Sequence, residues 1–314
     1  MAIFKQRREL MRELGFGSKN YQTTVRFINK DGSVNVSRTG LGLFDNVDIY
    51  HWLISASRMH LFLVIFSGYI GINLLFAAIY YLIGAQNFGG VDMSTPYQQF
   101  MSLFFFSAQT ITTLGYGHIY PVSNAAGVAA AAESLMGLLS FAIATGVLFG
   151  RFSRPKADLL YSKNILISPY EAAHGLMFRI SNKKQYELIE SEANITMTMK
   201  NPETNKREFY NLNLEISKIN YLALSWTVVH PIDENSPLYN LKMKDLEERD
   251  IEILILIKAI NDTFSQAVYS RYSYKAQDFI LNAKFKALKQ EATIKGKLKI
   301  AVNDIHHFDL LEEM

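Results

Sequence analysis

The chain has 314 residues and no cysteine, which excludes disulfides, thiol catalysis and thiolate metal sites. Its length allows two domains, and a formal charge of +3 is too mild to indicate a nucleic-acid partner. The charges are uneven: residues 59–150 hold no Lys or Arg and only two acids, Asp92 and Glu133, whereas the first 58 residues carry nine basic and five acidic side chains.

The opening MAIFKQRRELMRELGFGSKN lacks the apolar stretch of a signal peptide and reads as a charged, solvated tail over 1–44. The first apolar run, 59–83, has no formal charge. As a helix it reaches about 37 Å, more than the ~30 Å hydrocarbon core, and predicts a membrane span. Tyr80 and Tyr81 near its end suit an interfacial aromatic belt.

TPYQQFMSLFFFSAQT follows, with Thr95 as helix N-cap and Pro96 at the first helical position. A helix over 96–110 is too short to span and reads as re-entrant. TTLGYG comes directly after it, and non-helical backbone at membrane depth persists only where it is buried in protein or lines water.

A potassium ion must shed water to be told from sodium, so a pathway must supply replacement oxygens. Backbone carbonyls serve if successive ones face one axis, which glycine permits sterically. The pattern occurs at Thr113, Leu114, Gly115, Tyr116 and Gly117. The carbonyls of Thr113 to Tyr116 and the Thr113 hydroxyl are the expected potassium ligands, with Tyr116 packed outward on the pore helix. A lone G-Y-G recurs by chance in loops; its place after a re-entrant helix and between two spans makes it specific. One loop is a quarter of a ring, so a homotetramer is expected.

The second run, 124–152, is rich in Ala and Gly, which let helices approach closely in lipid. Its one carboxylate, Glu133, reads as a brace behind the filter, together with Thr112; a position near the membrane surface is the competing reading. Arg151, Arg154 and Lys156 follow at once. Both outer flanks are basic and the connection between spans is not, which predicts cytoplasmic termini in a multi-pass inner-membrane protein. His118, just past the filter, is either a source of pH-dependent charge at the mouth or an ordinary loop histidine.

Beyond residue 154 short alternating runs predict a β-sandwich of about eight strands. NITMTMK and REFYNLNL flank NPETN as a hairpin, DIEILILIKAI and TFSQAVYSRYSY read as strands, and 242–249 reads as a short helix. His230 and Asp233 in HPID lack further converging ligands, so neither a metal site nor an enzyme is expected.

The filter, RFSRPKADLLYSKNILIS, GLMFRISNKK, SWTVVHPIDENSPLY and RYSYKAQDF together resemble the inward rectifier potassium channels, most closely their prokaryotic members. Neither an Arg-rich voltage-sensing helix nor G-x-G-x-x-G is present after Lys156. The resemblance implies a two-span α-helical membrane pore domain over 58–153 with a re-entrant pore helix. It also implies a C-terminal cytoplasmic immunoglobulin-like β-sandwich over 154–314 that gates the pore, as a homotetramer. It makes 45–57 an amphipathic slide helix, with Val47, Trp52 and Leu53 on its apolar side, and Gly137 and Gly146 hinges. Phe149 becomes the gate, and Arg151, Arg154 and Lys156 meet anionic lipid or phosphoinositides, with the sign of regulation left open. No cofactor is implied, and potassium is the permeant ligand. Strong rectifiers carry an acid where this chain has Phe141, so the resemblance does not extend to strong block from that site. A weakly selective cation channel, given Leu114 in place of the commoner Val or Ile, and a membrane-anchored sensor with a relict pore loop are the alternatives.

Overall fold

A computed structural model describes residues 25–37, 40, 49–153, 155, 157–171, 173–292 and 298–311. The basic opening segment, Asp45 and Val47, and the cations Arg154 and Lys156 lie outside the described residues. The described residues divide between two compact units, one within Thr39–Arg154 and one within Met1–Arg38 and Pro155–Met314.

The first unit is helical, with α1 (Ile49–Ser55), α2 (Arg58–Ile83), α3 (Pro96–Ile111) and α4 (Asn124–Phe152). Helices α2 and α4 are long and apolar enough to cross a membrane. Each of the three long helices starts on a hydroxyl cap: Ser57 accepts from the His60 amide, Thr95 from that of Gln98 and Ser123 from that of Ala126. Pro96 adds its preset φ to the start of α3. At 16 residues α3 is about 24 Å long and stops short of the hydrocarbon thickness. A two-residue ladder, β1 (Phe88–Gly89) with β2 (Tyr120–Pro121), closes the connection on either side of α3. Phe76 and Tyr80 of α2, Phe88, and Leu103 and Phe106 of α3 form the core of this unit. The rings of Tyr80 and Phe106 lie 5.3 Å apart and those of Tyr80 and Phe88 5.0 Å apart. Phe62, Leu75 and Leu82 of α2 and Leu135, Ile143 and Phe149 of α4 stay exposed, the reverse of what a water-soluble helix pair would do.

The second unit is a β-sandwich. Its strands are β3 (Leu159–Tyr161), β4 (Ile165–Tyr170), β5 (Ala173–Asn182), β6 (Leu188–Lys200), β7 (Arg207–Asn211), β8 (Lys218–Tyr221), β9 (Ser225–Ile232), β10 (Glu252–Asn261), β11 (Gln266–Lys275) and β12 (Phe279–Leu281). One sheet runs β11-β10-β6-β7 with β8 also on β6, the other β12-β4-β5-β3 with β9 also on β5. The inward residues alternate, for example Ile253, Ile255 and Ile257 on β10 against Leu176, Phe178 and Ile180 on β5. The hairpin read from NPETN is present, with Lys200 opposite Arg207, and the short helix is α5 (Met243–Glu248). Residues 26–35 of the N-terminal segment also belong to this unit, packing Phe27 and Ile28 on Phe209 and Leu254.

His230 is buried on β9, bridging the Asn213 carbonyl at 2.6 Å and Ser236 Oγ at 2.8 Å. It is a core cross-link, and no cluster of three His, Asp or Glu side chains able to hold a metal occurs among the described residues. Burial pushes its imidazole below the ordinary value of 6.5, outweighing the Asn213 bond and Asp233, which push it up. The neutral ring therefore favours the fold above pH 6.5, and stability is lost as the pH falls below 6.5 and the unfolded chain takes up the proton. The melting temperature of the purified protein should fall between pH 7.5 and 5, with a smaller fall in His230→Gln; equal falls would contradict the assignment.

Candidate functional site

Helix α3 delivers the chain to residues 113–117 through a tight turn. The amides of Leu114 and Gly115 both donate to the Gln109 carbonyl, at 2.9 and 3.3 Å, and that of Thr113 to Thr110 at 3.0 Å. Thr112 Oγ1 donates to the Ala108 carbonyl at 2.7 Å, fastening the start of the loop to the last helical turn. Beyond this turn the backbone alternates in hand. Thr113, Gly115 and Gly117 have φ of +59°, +54° and +78°, and Leu114 and Tyr116 between them are not in the left-handed region. Alternation of this kind is what a row of successive carbonyls facing one side requires of a backbone. Thr113 holds this conformation at a cost of about 1–2 kcal/mol, strain of the kind that collects at functional sites.

Residues 112–118 are exposed, including His118. Tyr116 is 74 % exposed and so is not packed on α3 of its own chain.

Glu133 is fully buried. Tyr80 donates its hydroxyl to Oε2, and Ser107 Oγ meets Oε1. Ser107 Oγ also lies 2.9 Å from Asn73 Oδ1, and Asn73 Nδ2 donates to the Tyr69 carbonyl at 2.7 Å. The network thereby ties α2, α3 and α4 together, meeting α3 one turn before its C-terminal end. Tyr80, expected in an interfacial belt, is buried in this network instead, because its hydroxyl finds a carboxylate 53 residues away. Asn73 and Ser107 were missed; a polar side chain in each of two apolar helices was the available signal.

Gly137 has a packing role. A Cβ there would sit 2.2 Å from the Ile111 carbonyl oxygen at the end of α3, a backbone atom that cannot swing aside. Around Gly146 no atom of the described residues outside its own stretch of helix lies within 4 Å of such a Cβ. Gly137→Ala should therefore destabilise the fold by about 1–3 kcal/mol through overpacking, while Gly146→Ala stays within about 0.5 kcal/mol. Thermal unfolding of the two variants checks the contrast. Phe149 is 72 % and Phe141 73 % exposed on α4. Arg151, in the last turn of α4, has a buried Nη1 without a hydrogen-bond partner among the described residues. An apolar cavity of about 650 Å³ lies below the loop, between Tyr69 and Ile72 of α2, Thr112 and Thr113, and Leu138 and Phe141 of α4. Asp92, in the connection between α2 and α3, accepts from the Ser94 hydroxyl and amide, which hold its carboxyl below the usual range.

Residues 159–313 match the family model described as the inward rectifier potassium channel C-terminal domain, and residues 59–154 the one described as ion channel. The chain is 33 % identical over 276 residues to the inward rectifier potassium channel Kirbac3.1 of Paramagnetospirillum magnetotacticum, covering 86 % of this chain and 91 % of that protein. It belongs to the inward rectifier potassium channel family. More distant relatives include inward rectifier potassium channel 18 of Homo sapiens and ATP-sensitive inward rectifier potassium channel 12 of Bos taurus. Each is 24 % identical over 321 residues; these cover 93 % of this chain and 73 % and 74 % of the relatives. As a member of this channel family the protein is a membrane protein and not an enzyme, and potassium is the family's permeant ion. The two apolar helices and the sandwich are the pore and β-sandwich parts of the family fold.

Proposed function

We propose that this inward rectifier homologue conducts potassium selectively through a ring of four chains, each giving residues 113–117 to the filter. The alternating backbone hand at Thr113, Gly115 and Gly117 carries this reading. Four loops with carbonyls turned to one axis replace the water a potassium ion sheds, and the ion steps between adjacent rings. The exposure of 112–118 in one chain supports neighbours around the axis, against which Tyr116 packs. The carbonyl end of α3 adds the negative end of a helix dipole near the filter's start. Thr112 and the Glu133 network hold the loop's width.

The gate in this reading is Phe149, whose exposed ring lets four copies meet on the axis and exclude water. Bending at Gly146, where α4 has open space, moves it; Gly137 is the less suitable hinge because it is wedged against Ile111. Arg151, with Arg154 and Lys156, meets anionic headgroups at about 1 kcal/mol per cation near the surface. Both termini face the cytoplasm, with 45–57 as the slide helix and the sandwich as the gating domain.

The test is rubidium uptake into liposomes by the reconstituted protein, with barium as blocker and sodium as competitor. Barium-sensitive uptake that prefers rubidium is expected, and Phe149→Ala should raise it several-fold. Equal uptake of both ions would favour a weakly selective channel. Silence of both proteins as intact tetramers would favour the sensor.

A further inference from the structure

The chain that leaves residues 113–117 is gripped one residue later. Gly90, directly after β1, has φ of +81°. A Cβ on it would sit 2.0 Å from the His118 carbonyl oxygen, 3.0 Å from that carbonyl's carbon and 3.5 Å from Ile119 Cα. All three are backbone atoms that cannot swing aside, and the approach is closer than that of Gly137 to Ile111. Glycine alone meets both conditions, a left-handed backbone and room for another strand's carbonyl beside its Cα. Gly89 differs: a Cβ there would meet the Tyr120 ring, the far end of an exposed side chain that can turn away.

The grip is anchored on both sides. Phe88, two residues before Gly90, is buried, with its ring 5.0 Å from that of Tyr80 and 5.6 Å from that of Phe106, so β1 is fixed to α2 and α3. Ile119 is buried in the same cluster. The Val122 amide donates to the Asn87 carbonyl at 2.8 Å, and Asn87 Nδ2 donates to the Ile83 carbonyl, at the end of α2, at 2.9 Å. The exposed run 112–118 is thereby bounded by two buried residues, Ile111 and Ile119. Its entrance hangs on the Gln109 carbonyl and its exit on Gly90.

We propose that Gly90 is a positioning residue for the filter. It fixes the His118 carbonyl and, through that peptide, the orientation of the Tyr116 carbonyl in the ion site farthest from α3. A loop of so few residues between two fixed ends has no slack, so a shift at His118 is taken up by the peptide planes of Tyr116 and Gly117. This role rests on the filter reading above; the grip itself does not.

The test compares Gly90→Ala with Gly89→Ala in the full-length protein, by rubidium and sodium uptake with a barium titration and by hydrogen exchange in lipid nanodiscs. In intact tetramers Gly90→Ala should lower the rubidium-to-sodium preference about tenfold or more and weaken barium block by a similar factor. It should also raise exchange across 118–122 about tenfold. Gly89→Ala should stay within about threefold on all three. If Gly90→Ala does not assemble, Phe88→Leu loosens the anchor without adding an atom and should move preference and barium block the same way, by about threefold. Uptake that falls with preference and barium affinity unchanged would reduce Gly90 to a folding role and overturn the proposal. Raised exchange with both unchanged would overturn it too, and unchanged exchange would overturn the grip. Unselective, barium-insensitive uptake by the unaltered protein would count against the filter reading, with the exchange result still deciding the grip.

Discussion

Gly115→Ala is expected to abolish selective rubidium uptake, by at least about 100-fold, in tetramers that still assemble. Gly115 has φ of +54°, where an L-residue pays about 1–2 kcal/mol, and a ring of four copies multiplies the strain to about 4–8 kcal/mol. Beyond its two chain neighbours, no atom of the described residues lies within 4 Å of an added Cβ, so the single chain accommodates it and the penalty is conformational. The strain is relieved if the peptide planes on either side rotate, which turns carbonyls away from the ion. At 1.36 kcal/mol per factor of ten, a 100-fold loss needs about 2.7 kcal/mol, less than the lower end of that cost. Leu114→Val, at a position outside the left-handed region, should keep uptake within a few-fold. Uptake that survived Gly115→Ala would mean that the alternation has no part in conduction.

The second large effect is expected at Glu133, and it should be graded. Glu133→Ala leaves the Tyr80 hydroxyl buried without its acceptor and opens a hole between three helices. An unmet buried hydroxyl costs about 1–3 kcal/mol and the cavity a similar amount, about 2–6 kcal/mol per chain together. Glu133→Gln should cost under about 1 kcal/mol. Its carbonyl accepts from Tyr80 and its amide donates to Ser107 Oγ, leaving the single Ser107 proton for Asn73 Oδ1, 2.9 Å away. Thermal stability and the rubidium-to-sodium preference should fall together in Ala and hold in Gln. A severe Gln variant, or a silent Ala variant, would contradict the bracing role.

These two sites were legible to different depths. The proposed filter is local in sequence: five consecutive residues carry their own backbone preference. Glu133 stood out because a fixed charge is rare in an apolar helix, but its partners did not. Tyr80 is 53 positions away, and helical periodicity says which residues share a face, not which hydroxyl meets which carboxylate. Gly137 was read as a hinge by resemblance, whereas its contact with the Ile111 carbonyl depends on the distance between two helices, which neither helix's sequence encodes alone. The β6–β7 hairpin was legible because its turn chemistry is contiguous. Phe27 and Glu252 are 225 positions apart, and the segment around Phe27 looked like the solvated tail that precedes it.

The central claim is that four chains present the carbonyls of residues 113–116 to ions on one axis. Anomalous scattering from crystals of the protein grown with rubidium tests it most directly. The account predicts a row of peaks on a four-fold axis, each ringed by carbonyl oxygens of Thr113, Leu114, Gly115 and Tyr116. Rubidium found only on side-chain carboxylates, or loops 113–117 that do not face a common axis, would contradict it.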